Sequence, residues 1–209
     1  MTNIESITLE VADPTAAAHF YSAAFGLDTR LRLRATAAPT TGFRGFTLSL
    51  TTSRPGNVDA LINAALEAGA TTLKPATKSI WGYGGTVQAP DGTVWKVATS
   101  AKKDTGPATK EFDELVLLLG VEDMAASKRF YVEHGLTVAK SFARMYVEFA
   151  ADSGPVKLGL YRRRALAKDA GVTPEGTGAH RIAIGAAAGA FTDPDGYAWE
   201  PSSSPALTV

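Results

Sequence analysis

Gly84–Val97, GGTVQAPDGTVWKV, is the stretch on which the fold is read, because a shorter relative of it returns as Ala190–Glu200, AFTDPDGYAWE. In each, two residues separate the glycine of a Pro-Asp-Gly turn from a tryptophan, Trp95 in one and Trp199 in the other. Proline presets φ at the first turn position, and glycine accepts the left-handed conformation that lets the second strand leave antiparallel. The stretch therefore reads as a hairpin with strands at Gly84–Ala89 and Thr93–Ala98. One Pro-Asp-Gly is common in proteins; two with the same tryptophan spacing indicate a duplication.

Outward from the hairpin, alternation places a half-buried strand at Ile4–Val11, with Ile7, Leu9 and Val11 on one face and Ser6, Thr8 and Glu10 on the other. Asp13 offers an N-cap and Pro14 a first helical position, and the helix stops near Gly26. Arg30, Arg32 and Arg34 alternate with Leu31 and Leu33 in a second strand, read as a solvated or edge-protecting face. Phe46–Leu50 is a third strand, Val58–Ala68 a helix capped near Gly69, and Thr71–Leu73 a short strand before a Trp- and Gly-rich loop at Ser79–Gly85. Ser100–Lys110 is polar and aperiodic, a linker. Beyond it come a strand at Phe112–Val121 apolar enough for burial on both faces, a helix at Met124–Glu133 and a hairpin of Tyr146–Phe149 with Val156–Tyr161 around Asp152-Ser153-Gly154. A helical turn at Arg162–Gly171, a loop, a strand at Arg181–Ile184, the second Pro-Asp-Gly hairpin and a disordered tail complete the chain.

The duplication is uneven. Asp13…Phe20-Tyr21 matches Asp123…Phe130-Tyr131 at an offset of 110 residues, Gly42–Phe46 matches Gly178–Ile182 at 136, and the two turns lie 104 apart. The second copy has thus gained a hairpin and a helical turn in its middle and lost the helix that the first keeps at Val58–Ala68. The expected units are 1–99, a linker at 100–111, a second unit at 112–201 and a tail at 202–209.

The 209 residues carry 21 Lys plus Arg against 21 Asp plus Glu, so no overall field draws in nucleic acid or an acidic membrane. There is no cysteine, which removes disulfides, thiolate nucleophiles and sulfur-built zinc sites. With no signal peptide and no membrane span, the reading is of a cytoplasmic protein.

The pattern resembles the vicinal oxygen chelate superfamily: glyoxalase I, the bleomycin-resistance proteins and the extradiol dioxygenases. The resemblance is carried by LEVADPTAAAHFY at 9–21, LLGVEDMAASKRFY at 118–131, Leu73-Lys74-Pro75…Trp81-Gly82, and the two Pro-Asp-Gly-x-x-Trp turns. It implies an α+β protein of tandem βαβββ modules, forming curved mixed sheets with helices on the outer face that cup a small molecule. LGLYRRRALAKDAGV and GFRGFTLSL…AALEAGATTLKPA look like the two halves of one standard domain, set here in different copies. Metal-dependent members of the family place His, Gln or Glu at positions held here by Ser6, Gly45 and Lys96 in the first copy and by Val116, Arg181 and Glu200 in the second. A divalent cation needs several oxygen or nitrogen donors and repels Lys and Arg; only Glu200 is competent. The expectation is of no metal and no other cofactor, with Arg181 and Glu200 ion-paired where a metal would sit.

The leading functional reading is a metal-free protein that sequesters an aromatic or amphipathic compound; the alternative is a metal-dependent or acid/base enzyme of the same superfamily, a lyase, isomerase or dioxygenase, using Glu200 or His180, of which His180 is the candidate general base. His19 and His134 lie on or just after helices and suggest no catalysis. Phe43, Trp81, Tyr83, Lys96, Tyr146 and Arg181 are the candidate ligand contacts. The expected partner is a small molecule, with the chain either a monomer or a homodimer.

Overall fold

The computed structural model of the chain describes residues 2–27, 30–143, 145–151 and 154–202, and the backbone of 207–208. The first half runs β1 (Ile4–Val11), α1 (Pro14–Phe25), β2 (Leu31–Ala35), β3 (Thr40–Gly42), β4 (Phe46–Thr51), α2 (Pro55–Glu67), β5 (Thr71–Ser79), β6 (Gly82–Gln88) and β7 (Val94–Thr99). The second runs β8 (Glu114–Val121), α3 (Met124–Glu133), β9 (Val138–Phe142), β10 (Tyr146–Phe149), β11 (Val156–Arg162), α4 (Arg163–Ala170), β12 (Gly176–Gly178), β13 (Ile182–Ala186), β14 (Phe191–Thr192), β15 (Ala198–Pro201) and β16 (Leu207–Thr208). Among the described residues no helix is long and apolar enough to cross a membrane.

The helix starts follow from local chemistry. Asp13 accepts the backbone N–H of Ala16 at 3.0 Å, and Asp123 those of Ala125 and Ala126 at 2.9 and 3.1 Å. Gly26 ends α1 in the left-handed conformation at φ 59°. No side chain caps α2 from within; Asp104, from the linker, accepts the N–H of Gly56 at 2.6 Å. The buried Asn57 ties the linker down further, accepting from the Thr109 N–H and donating to the Glu111 carbonyl. The aperiodic stretch is therefore a strap over the start of α2.

The strands divide into two arms. One is an eight-stranded sheet in the order β5-β6-β7-β4-β8-β11-β10-β9, and the other runs β2-β1-β13-β15-β14. The arms meet through one β1–β11 pairing, Ile4 with Val156. Each arm takes strands from both copies: β4 of the first lies antiparallel to β8 of the second, and β1 antiparallel to β13. The two segments that resembled halves of a standard domain thus meet in the larger arm. The smaller arm is what remains where one copy lacks the hairpin and the other the helix.

The hydrophobic core is shared between the arms. Trp95, on β7 of the larger arm, is fully buried with ring centroids 5.6 Å from Tyr21 and 4.8 Å from Phe25, both on the helix that follows β1. Trp199, on β15 of the smaller arm, packs 5.5 Å from Tyr131, on the helix that follows β8. Both tyrosines reach the hairpin turns: Tyr21 donates its hydroxyl to Asp91 at 2.7 Å and Tyr131 donates to Asp193 at 2.5 Å.

Several expectations need correction. The expected loop at Ser79–Gly85 is a tight turn: β5 runs from Thr71 past Pro75 to Ser79, and β6 begins at Gly82. Pro75 is tolerated because β5 is an edge strand with register shifts on either side of Lys74. β8 is not buried on both faces; Leu115, Leu117 and Leu119 enter the core while Val116 and Leu118 are half-buried on the concave side. The exposed edge strand β9 and the short β3 and β12 have no alternation to reveal them. Asp152 and Ser153 of the expected turn lie outside the described residues, as do 203–206 and 209 of the tail, but the backbone of Leu207–Thr208 pairs with β2. Finally, α4 is not on the outer face: it packs on the concave side of the larger sheet.

Burial, then the charge of the neighbouring carboxylate, pushes the Tyr21 and Tyr131 phenols well above their ordinary value. A phenol that is harder to ionise in the folded state contributes stability that is complete below the unfolded value and is lost as pH rises above it. Stability to urea should therefore fall above about pH 10, by about 1.4 kcal/mol per pH unit for each of these tyrosines. Tyr131→Phe should remove one such contribution to the slope and, at neutral pH, cost about 1.5–3 kcal/mol for a hydrogen bond to a charged group. An unchanged alkaline slope in the variant would contradict this account.

Candidate functional site

Strand alternation fixes what each cup presents. In the larger arm Leu48, Leu50, Trp95, Val97, Leu115 and Leu117 face the core, so the intervening residues line the concave side. The register aligns one row across five strands: Thr86 with Lys96, Lys96 with Ser49, Ser49 with Val116, and Val116 with Lys157. Lys157 pairs with Glu114, and Lys96 pairs with Asp169 of α4 at 2.6 Å. In the smaller arm Ser6, Thr8 and Glu10 line the concave side of β1. Gly185 lies between Ser6 and Glu200 in the register, and a Cβ added there would stand 2.4 Å from the Ser6 hydroxyl oxygen.

The smaller cup is closed by its own charges. Arg34 donates to Glu200 at 2.9 Å and to Glu10 at 2.8 Å, and the Thr8 hydroxyl reaches Glu200 at 3.4 Å. Burial alone would lower the Arg34 guanidinium, but hydrogen bonds to Glu10 and Glu200 hold it above its ordinary value. Arg32 donates to the Ser202 carbonyl, and Arg30 lies over the Phe112 ring at 4.7 Å. The arginine strand is thus not a solvated face. The expected Arg181–Glu200 pair does not form: Arg181, at φ 57°, donates through Nε to the Ala38 carbonyl at 3.0 Å. Arg34, reaching Glu200 from β2 across β1 and β13, takes its place.

His180 is wedged between backbone groups. Its Nδ1 lies 2.5 Å from the Arg44 carbonyl oxygen, its Nε2 lies 3.1 Å from that of Asp195, and its ring packs 4.2 Å from Tyr197. His180 lines a cavity of about 470 Å³, but each of its ring nitrogens lies against a backbone carbonyl, and Glu200 is held by Arg34. In this arrangement neither candidate is a free acid or base.

The larger cup is partly filled by α4. Leu166 and Ala167 are buried against Phe43, with Leu118, Tyr161 and Val172 around them. Arg163 anchors the start of the helix, donating to the Phe43 carbonyl at 2.8 Å and the Pro174 carbonyl at 3.2 Å. At the other end Lys74 donates to the carbonyls of Lys168 and Asp169, both at 2.7 Å, satisfying groups that lack partners inside a helix. Gly171 then turns the chain away at φ 82°; a Cβ there would lie 2.9 Å from the Lys74 side chain.

Between this end of α4 and strands β5–β7 lies a cleft of about 320 Å³, lined by Lys74, Trp81, Tyr83, Thr86, Lys96 and Asp169 with Gly82, Gly84 and Gly85. Trp81, on the β5–β6 turn, is 83% exposed, and Ile80 beside it is 82% exposed. Tyr83 borders the cleft but donates its hydroxyl to Asp59 of α2 at 2.7 Å; that hydrogen bond, with some burial, pushes the phenol up to about 12. Of the expected ligand contacts, the structure brings Trp81, Tyr83 and Lys96 together here. Phe43 is packed beneath α4. Tyr146, on β10 at the opposite flank of the cup, donates to Glu148 at 3.2 Å and packs 6.0 Å from Tyr161. Arg181 belongs to the smaller arm. The sequence reading missed Arg34, Lys74 and Asp169. The signal for Asp169 was its place in the last turn before Gly171; Arg34 was visible but assigned to the solvent side.

Among the described residues no three His, Asp or Glu side chains converge. At the positions the resemblance gives to metal ligands stand Ser6, Gly45, Lys96, Val116, Arg181 and Glu200, and Glu200 is already paired with Arg34. Ammonium and guanidinium groups repel a cation, and one engaged carboxylate does not make a site. These residues do not fit the metal that the resemblance implies for other members.

No protein-family model matches the sequence, and no curated protein matches it. Solved structures do match the fold. Glyoxalase I from Zea mays is similar over 95% of this chain and 91% of its own, with a TM-score of 0.62 at 16% identity. A putative dioxygenase from Bacillus subtilis is similar over 87% of this chain and 69% of its own, with a TM-score of 0.54 at 15% identity. At such identities the likeness carries architecture and not chemistry. The paired βαβββ strands, the helices that cover them and this likeness agree: the chain has the fold of the vicinal oxygen chelate superfamily, the glyoxalase/bleomycin resistance/dioxygenase fold.

Proposed function

We propose that this protein binds a small aromatic or amphipathic molecule, without a bound metal, in the cleft between α4 and β5–β7. The observation that carries the reading is an indole left 83% exposed at the mouth of a cleft whose wall holds a half-buried lysine, Lys96. A large apolar side chain beside a concave surface is placed to cover a planar ligand, since burying it removes apolar area from water at about 25 cal/mol per Å². Gly84, paired with Ala98 on the face of Thr86 and Lys96, adds no side chain to the wall, which suits a flat molecule. A sequestering role needs such a cleft and no catalytic group, and the engagement of His180 and Glu200 supports it over acid–base catalysis.

A thermal-shift screen with dicarbonyl–thiol adducts, catechols and aromatic antibiotics tests the reading, because a ligand of the native state raises the melting point by mass action. Trp81→Ala should leave the melting point of the free protein nearly unchanged, as expected for an exposed position, and abolish most of the ligand-induced rise. A variant that keeps the full rise would place the ligand elsewhere. Zn²⁺, Ni²⁺ and Mn²⁺ titrated calorimetrically should give no tight one-to-one binding; a stoichiometric site would overturn the metal-free reading.

A further inference from the structure

We infer that the cleft selects planar ligands bearing one anionic group, and that Asp169 occupies in the free protein the position on Lys96 that this group takes. The inference rests on the reading of the cleft as the binding site and names the chemistry of what enters it.

Two ammonium groups and one carboxylate line the cleft: Lys74, Lys96 and Asp169. Their roles differ. Lys74 serves the two carbonyl oxygens that end α4 and so anchors the helix. Lys96 projects from β7, held between β4 and β6, with its side chain only 33% exposed. An ammonium so placed has lost part of its hydration and needs an anion close by. The sheet supplies none: its neighbours in the row are Ser49 and Thr86. The anion comes from α4, at 2.6 Å, from a residue that is itself 43% exposed.

Asp169 is therefore the more easily exchanged member of the pair. Its carboxylate can turn to solvent at small cost, because exposed charges keep most of their hydration. Lys96 cannot leave the strand. A ligand carboxylate entering beside Trp81 would take over the ion pair on Lys96 while the more exposed Asp169 carboxylate regains its water, so the exchange adds to the contact of its ring with the indole. A neutral ligand leaves the Lys96–Asp169 pair as it stands and gains only the ring contact. A cationic ligand meets two lysines.

Three probes that share one ring system separate these cases: 2-naphthoate, 2-naphthamide and 2-naphthylmethylammonium, each titrated into the full chain. Wild type should prefer 2-naphthoate. Asp169→Asn, which frees Lys96, should tighten 2-naphthoate by roughly tenfold and leave 2-naphthamide within about twofold. Asp169→Glu, which keeps a carboxylate in place, should behave as wild type, and Lys96→Met should erase the preference for the anion. The preference should shrink as salt is added. Equal affinity for 2-naphthoate and 2-naphthamide in wild type, tighter binding of the ammonium probe, or an Asp169→Asn variant that does not gain on 2-naphthoate would overturn the inference while leaving the cleft as a binding site. Failure of all three probes to bind either wild type or Asp169→Asn would remove the cleft reading and the inference together. Unchanged circular dichroism and melting point in Asp169→Asn would show that any gain comes from the freed lysine and not from loosening of the fold.

Discussion

Trp95 and Trp199 are each covered by a helix that rises from the opposite arm, and the rest of the structure depends on that exchange. α1 follows β1 of the smaller sheet yet lays Tyr21 and Phe25 on Trp95 of the larger; α3 follows β8 of the larger yet lays Tyr131 on Trp199 of the smaller. Burying an aromatic side chain against another contributes beyond the area it removes from water. Each helix here makes that contribution across the junction, and each tyrosine also donates to an aspartate in or beside the far hairpin turn. The direct β1–β11 pairing is short, so it is the shared core that holds the two sheets at a fixed angle.

That constraint turns both concave faces away from the core and leaves their polar residues to find partners of their own. A strand that buries one face must present the other, so Ser6, Thr8 and Glu10, like Ser49, Lys96 and Lys157, are set by alternation. The smaller cup answers with Arg34, whose guanidinium carries two carboxylates at once, a geometry that lysine would not reproduce. The larger cup answers with α4, whose apolar side fills the middle while its charged end meets Lys96. Neither solution calls for a cation. Lysine and arginine supply the positive charge that a metal would otherwise bring.

The sequence showed the frame more clearly than the fittings. The Pro-Asp-Gly-x-x-Trp turns, the Asp-capped helices and the Phe-Tyr pairs were legible because each is a local device whose residues act on their own neighbours. The offset arithmetic also located the hairpin and helix that the copies do not share. What could not be read was partnership between distant segments. Arg34 alternates with core leucines in a manner typical of an exposed strand face, and nothing local reveals that β15 will bring Glu200 within 2.9 Å of it. Similarly, Arg162–Gly171 read as helical, but which side of the sheet it would occupy depended on Phe43 and Leu118, far off in the chain. Trp81 was singled out as an aromatic side chain in a Gly-rich loop and Lys96 because the resemblance put it at a ligand position; Asp169 was not, because α4 belongs to the gained segment for which the first copy offers no counterpart.

The complementary losses have a physical logic of their own. A βαβββ unit without its hairpin leaves β1–β2 as an open edge, and one without its helix leaves β13–β15 uncovered; either alone would expose apolar surface and unpaired backbone. Placed together, they need one another. β1 pairs with β13, α3 from the other arm covers Trp199, and the backbone of Leu207–Thr208 extends the edge beside β2. The truncated arm therefore persists as a support whose hollow is closed by the Arg34 ion pairs, while the complete arm keeps all eight strands and a cleft where an exposed indole and a lysine stand together. Which cup is closed by its own charges and which keeps a cleft beside α4 follows from the elements each copy lost.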